Sequence, residues 1–169
     1  MQRTILIAVV ALSAAACSRG STPATATLAP KSGSQVTGSA TFTEKDGNLE
    51  ITVEGRSLSP GKHGVHVHEK GDCSAADASS AGGHFNPGEG THGGPIDPTR
   101  HAGDLGNLEA GPDGRGTLTI TTDALTVSPG ERSVVGRAIV IHGDSDDFLT
   151  QPTGNSGGVV ACGVIELQN

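Results

Sequence analysis

Apolar and polar residues alternate along several short stretches, and the period is that of a strand rather than a helix. Residues 36–43 alternate and so do residues 49–54, while Lys45-Asp46-Gly47-Asn48 between them has turn chemistry, so the two stretches predict a β-hairpin. A further strand follows the Ser59-Pro60-Gly61 turn and carries His63-Gly64-Val65-His66-Val67-His68. On a strand His66 and His68 share one side and Val65 and Val67 the other, which sets imidazoles on one face and core on the opposite one. Over residues 71–103 the period disappears into Gly, Pro, Ser, Asp and His, and a loop of that length needs a functional reason or a cross-link. Residues 105–110 and 116–121 flank Gly111-Pro112-Asp113-Gly114 and predict a second hairpin. Residues 133–142 read as an apolar strand ending in a histidine, and residues 159–167 close the chain. About eight short strands without a helical period indicate an all-β protein, an antiparallel sandwich or barrel.

The first residues do not fit that pattern. Arg3 gives a positive start, residues 5–12 are an apolar run too short to cross a membrane, and Ser13-Ala14-Ala15-Ala16 puts small residues before Cys17. Residues 1–17 thus predict an export signal. They resemble a bacterial lipoprotein signal, in which cleavage before Cys17 leaves that residue to carry lipid; an ordinary secretory signal beside a stray cysteine is the plainer alternative. Residues 18–34 are Ser, Thr, Ala, Pro and Gly with isolated cations, and predict a disordered tether. One folded domain then spans residues 35–169, exported to the periplasm or cell envelope, with no membrane contact beyond the lipid anchor.

Composition narrows the core and the partners. With no Trp or Tyr and only three Phe among 169 residues, the core must come from Val, Ile and Leu in short strands. A formal charge of −7 without a Lys/Arg cluster excludes nucleic acid and offers no general attraction to an anionic substrate. Of three cysteines, one sits at the lipid position, which leaves Cys73 and Cys162 as a disulfide of an oxidising compartment or as two free thiols.

Histidine is the residue that changes the functional picture. His84, His92 and His101 recur along the aperiodic loop with Asp104 just beyond, and three imidazoles with a carboxylate suit a closed, structural Zn²⁺ site. His66, His68 and the distant His142 suit a second ion with nitrogen ligands, and copper favours such ligands and can change oxidation state.

Taken in order, His63-Gly-Val-His66-Val-His68-Glu, Ala81-Gly-Gly-His84-Phe-Asn-Pro87, His92-Gly-Gly-Pro95, Arg100-His101-Ala-Gly-Asp104-Leu-Gly-Asn107, Val135-Gly-Arg-Ala-Ile-Val-Ile-His142, Gly154-Asn-Ser-Gly and Ala161-Cys-Gly-Val-Ile165 resemble the copper/zinc superoxide dismutase family. The resemblance covers residues 35–169. It implies an eight-stranded Greek-key antiparallel barrel with long metal-binding loops, and superoxide as substrate. It implies copper on His66, His68, His84 and His142, and zinc on His84, His92, His101 and Asp104. His84 would bridge the metals and pass a proton to peroxide at its copper-side nitrogen, and His63 would be the non-ligand histidine beside the copper. Asp146 matches the aspartate that joins ligands of the two metals, and Cys73 and Cys162 match the family disulfide. Family members occur as monomers and homodimers.

One position departs from the pattern. Two residues before Ala161 the family places an arginine facing the copper channel, where this chain has Val159, and residues 147–158 carry no Lys or Arg. Loss of a focused positive field slows capture of an anion. Lys62, Lys70 and Arg100 are the cations available to compensate. Three functional readings follow: an exported dismutase, a dismutase-like copper- and zinc-binding protein with little turnover, and a zinc-stabilised structural domain, which leaves His66, His68 and His142 unexplained.

Overall fold

The computed structural model describes residues 22–168. The export signal and Cys17 lie outside them. The first described element overturns the tether predicted up to residue 34: β1 (Ala24–Pro30) is a strand whose Ala24, Ala26 and Leu28 are buried. The sequence Ala-Thr-Ala-Thr-Leu-Ala has the alternation of a strand, but its residues are small and are those of which tethers are made. What orders it is pairing on both sides. Ala24–Leu28 register antiparallel with Phe42–Gly38 of β2 (Thr37–Lys45), while Ala29 and Pro30 face Cys162 and Ala161 of β8 (Val159–Val164). The domain therefore starts well before residue 35. Residues 31–34 also belong to it, since Lys31 N–H and Ser34 Oγ both donate to the Val160 carbonyl, at 2.9 and 2.6 Å.

The predicted first hairpin forms as β2 and β3 (Asn48–Arg56), paired from Thr37↔Arg56 to Lys45↔Asn48. The histidine strand is β4 (Gly61–His68), followed by β5 (Asp104–Ala110), β6 (Gly116–Thr122), β7 (Ala138–His142), β8 and the two-residue β9 (Glu166–Leu167). The sheet order is β2-β3-β6-β5-β4-β7-β8-β1-β9, and β1 pairing back on β2 closes it into a barrel of eight strands, with β9 prolonging β8 along β1. β4, β5 and β6 are consecutive neighbours and β7 returns to lie beside β4, which is a Greek-key arrangement. Two strands differ in extent from their sequence pattern. β6 meets β5 only at Ala110↔Gly116 and otherwise runs along β3 from Leu49↔Thr122 to Gly55↔Gly116. β7 starts at Ala138 rather than 133, because residues 134–137 turn, with Arg137 N–H bonded to the Val134 carbonyl and Gly136 at φ +79°.

The barrel interior is aliphatic as composition requires: Leu28, Phe42, Leu49, Ile51, Leu105, Leu108, Ile139, Ile141 and Ile165 are all nearly inaccessible. Truncating one such Leu or Ile to Ala costs about 2–5 kcal/mol. A second, smaller apolar layer lies outside the barrel, where Ala78 and Ala81 of the long loop cover Ala138, Val140, Val159 and Cys162 on β7 and β8. Cys73 and Cys162 form a disulfide across a sequence separation of 89, so the loop is tied covalently to the strand it covers.

Candidate metal centre

β4 alternates as its sequence requires, with Val65 and Val67 in the core cluster and His66 and His68 on the other face. The aperiodic loop is then zipped onto this strand at its middle and at its far end. His68 and His84 make an antiparallel bridge; Phe85 N–H donates to the Val67 carbonyl (2.8 Å), and Val67 N–H donates to the Gly103 carbonyl (2.9 Å). Only glycine fits at 103, since a Cβ there would stand 2.3 Å from the Val67 oxygen. Register shifts between Val65 and His66 and between Ile141 and His142 bend the strands at two of the histidines, the usual effect of a β-bulge beside a site.

His66, His68, His84 and His142 come together, all buried, with one nitrogen from each within 4.8 Å of the others. His66, His84, His92 and Asp104 form a second group on the same criterion. The His66 and His84 rings stack at 3.8 Å between centroids, so the two groups share a wall. His101 stands at the edge of the second group, its ring 5.6 Å from that of His84 and its Nδ1 3.4 Å from Asp104 Oδ1.

Hydrogen bonds sort the ring nitrogens into used and free. Asp146 takes both His66 Nε2–H and His92 Nε2–H at 2.8 Å, one on each oxygen. His142 Nδ1–H donates to the Gly157 carbonyl (2.9 Å), and His84 Nδ1–H to Asp104 Oδ1 (2.7 Å). What remains buried without a hydrogen-bond partner is His66 Nδ1, both nitrogens of His68, His84 Nε2, His92 Nδ1, His101 Nδ1 and His142 Nε2. Unpartnered buried polar atoms are costly and rare in a folded chain, so their concentration at one place fits residues shaped for a cation.

The electrostatics keep those nitrogens available. Burial, reinforced by neighbouring imidazoles, pushes His68 down to about 3 and His66 well below the usual histidine value; burial also lowers His142, to about 4, against the opposing hydrogen bond to Gly157. A neutral imidazole keeps a lone pair for a metal. Burial lowers His101 as well, partly opposed by Asp104. Burial alone would raise Asp104, but the His84 hydrogen bond and the surrounding imidazoles outweigh it and hold the carboxyl low, so it presents an anion.

Side-chain amides replace the missing secondary structure around this cluster, and nothing in the sequence period announces them. Asn86 spans Gly90, donating to its carbonyl (2.9 Å) and accepting from its N–H (2.8 Å). Asn107 does the same for Asp146, at 2.9 and 2.8 Å, and Gln151 for His92, at 2.9 and 2.8 Å. The only available signal was the presence of amides in otherwise Gly- and Pro-rich stretches.

Among the remaining predicted residues, His63 joins neither group: its Nδ1 lies 2.9 Å from the His142 carbonyl, and its Nε2 lies 2.9 Å from the Ser59 carbonyl and 3.3 Å from the Ser59 hydroxyl. It therefore supports the backbone of His142. Val159 is buried at 8% exposure in the outer apolar layer and faces His142 in the β7–β8 register. Lys62 is exposed opposite Glu109, Lys70 lies 3.9 Å from Glu69, and Arg100 is spent on the Asp97 carbonyl and the Thr122 hydroxyl.

Residues 36–165 match the profile of the family described as copper/zinc superoxide dismutase. Among solved structures, the clock protein EA4 superposes with a TM-score of 0.79 at 38% identity, over 87% of this chain and 95% of that one. The family profile begins at residue 36 and leaves out β1, which its pairing with β2 and β8 assigns to the barrel. A closed Greek-key barrel, two adjoining histidine groups, a disulfide-tied loop and a profile match over most of the chain lead to one assignment: the chain belongs to the copper/zinc superoxide dismutase family.

Proposed function

We propose that this chain is an exported superoxide dismutase, with copper held by His66, His68, His84 and His142 and zinc by His84, His92, His101 and Asp104. The observation that carries the reading is the set of unpartnered nitrogens: every histidine of both sets has at least one ring nitrogen left over after its other hydrogen bonds are made, except that His84 must exchange its Asp104 bond to serve the second set. A cluster of nitrogen donors suits copper, and histidines with a carboxylate suit zinc. Copper in such a site supplies one-electron exchange, which zinc does not.

The chain's own residues do the rest. His84 has Nε2 toward the first group and Nδ1 toward Asp104, so its Nε2 is the atom at which a proton can be held and released beside the reacting oxygen species. Asp146 fixes the tilt of His66 and His92 together, and the Gly157 carbonyl fixes His142. The Cys73–Cys162 bond supports an oxidising compartment, consistent with residues 1–17 acting as an export signal and Cys17 as a lipid anchor.

Val159 favours the second reading, a protein that holds both metals with little turnover, because residues 147–159 carry no Lys or Arg and Arg100 is held by the Asp97 carbonyl and the Thr122 hydroxyl. Metal content and dismutation rate of the purified protein, compared with His142→Ala, separate the two. Bound copper and zinc with a rate well above that of His142→Ala is the expected result; bound copper with equal rates would overturn the dismutase reading.

A further inference from the structure

His92 is 3% exposed and lies outside every strand, in a stretch with no ladder to pair its main chain. Buried backbone N–H and C=O groups need partners. Here one side chain supplies both: Gln151 Oε1 accepts the His92 N–H at 2.8 Å and Gln151 Nε2 donates to the His92 carbonyl at 2.9 Å, from a loop far away in sequence. The amide acts as a strand partner one residue long. The same loop closes on the other side of His92 through Gly154, where a Cβ would stand 2.4 Å from His92 Nε2 and 1.9 Å from Asp146 Oδ1. His92 is thus gripped at its main chain by Gln151 and at Nε2 by Asp146, and Asp146 is gripped in turn by Asn107, leaving Nδ1 free beside Asp104 at 3.2 Å.

We infer that Gln151 is a positioning residue for His92, and that its grip sets how tightly the second group holds a divalent ion. The inference rests on the proposed reading of His92 as a zinc ligand. Positioning acts by cutting the freedom a ligand must lose on binding: with its main chain fixed, His92 can swing only about its own side-chain bonds. The loop of residues 147–158, bare of cations, then has a structural task in place of a steering one. Gln151 is itself exposed, so truncating it opens no hole in the core.

The test compares wild type, Gln151→Ala and Gln151→Glu in the full disulfide-bonded chain. Zn²⁺ competition against a chromophoric chelator is expected to show about 10- to 100-fold weaker binding for Gln151→Ala, the range typical of losing an outer support. Gln151→Glu keeps the acceptor for the His92 N–H and loses the donor, and is expected to fall between. Cu²⁺ binding at the first group should change by less than about threefold, and Co²⁺ substituted for zinc should change its visible spectrum in Gln151→Ala. In the metal-free protein, hydrogen exchange at the His92 amide should speed up in Gln151→Ala while the amides of β3 stay protected. Zinc binding within twofold of wild type, or equal weakening for both metals, would overturn the inference. Wild-type protein that takes up no Zn²⁺ would instead sink the ligand reading, and unchanged exchange at His92 would sink the grip itself.

Discussion

Reducing the Cys73–Cys162 bond removes the one disulfide cross-link between the long loop and the barrel among the described residues. The bond spans a sequence separation of 89, and closing a loop of that size removes unfolded-chain entropy worth about 4.6 kcal/mol at 25 °C in the chain-entropy treatment. For a domain of this size each kcal/mol moves the melting temperature by about 2–4 °C, so reduction should lower it by roughly 9–18 °C. The assay is thermal and urea unfolding of the metal-free protein, oxidised, reduced, and as the Cys73→Ala/Cys162→Ala variant; chelation keeps metal binding from contributing to apparent stability. Alanine suits position 162, which is buried against Ala138 and Val140, better than serine, whose hydroxyl would lack a partner. A loss under about 1 kcal/mol would refute the entropic account.

Three further outcomes are expected. Gly154→Ala should break the Asp146–His92 bond and strip zinc, whereas Gly136→Ala, at a similar positive φ with nothing within 4 Å of the new Cβ, should cost only the roughly 1 kcal/mol of a left-handed alanine; zinc content and urea midpoints of the two variants decide it. Val159→Arg should raise the dismutation rate and make it fall with salt, at some cost in stability because the valine is buried; a rate unchanged at low ionic strength would show that position 159 does not face the approach. The metal-free protein should lose stability as pH falls from 6.5 towards 4. His68 and His142 have folded values near 3 and 4, so the unfolded chain binds more protons across that window; each contributes about 2–3 kcal/mol of loss by pH 4.5, readable as a drop in the urea midpoint.

Legibility in the sequence followed chemistry more closely than geometry. His66, His68 and Val65, Val67 could be assigned to opposite faces because a strand has a period of two, and the bulges beside His66 and His142 bend the strands without upsetting that assignment. Asp104 was visible as a carboxylate just beyond the loop histidines, whereas Asp146 came only through the family resemblance. β1 was not visible, because Ala24, Ala26 and Leu28 are small and owe their order to pairing with β2 on one side and with β8, far along the chain, on the other. Gln151 and Asn107 were invisible for a related reason: a side chain pairing with a remote backbone leaves no period. The second group was also drawn differently by the fold, which sets His66 beside Asp104 and His92, holds Asp104 to His84 by a hydrogen bond and leaves His101 at the edge.

β1 is the first strand of the barrel to be synthesised, and one of its two neighbours is the last. Ala29 faces Cys162, so the seam of the barrel joins the two ends of the domain. A ribosome or a secretion pore that releases the chain from its N-terminus must deliver nearly all of it before that seam can form. Until then Cys73 has no strand to be fastened to, and His142 has no β8 beside it. Oxidation of the cysteine pair thus marks completion: a chain cut short before residue 159 keeps its Cys73 thiol and leaves Ala29 and Pro30 of the first strand without their β8 partners.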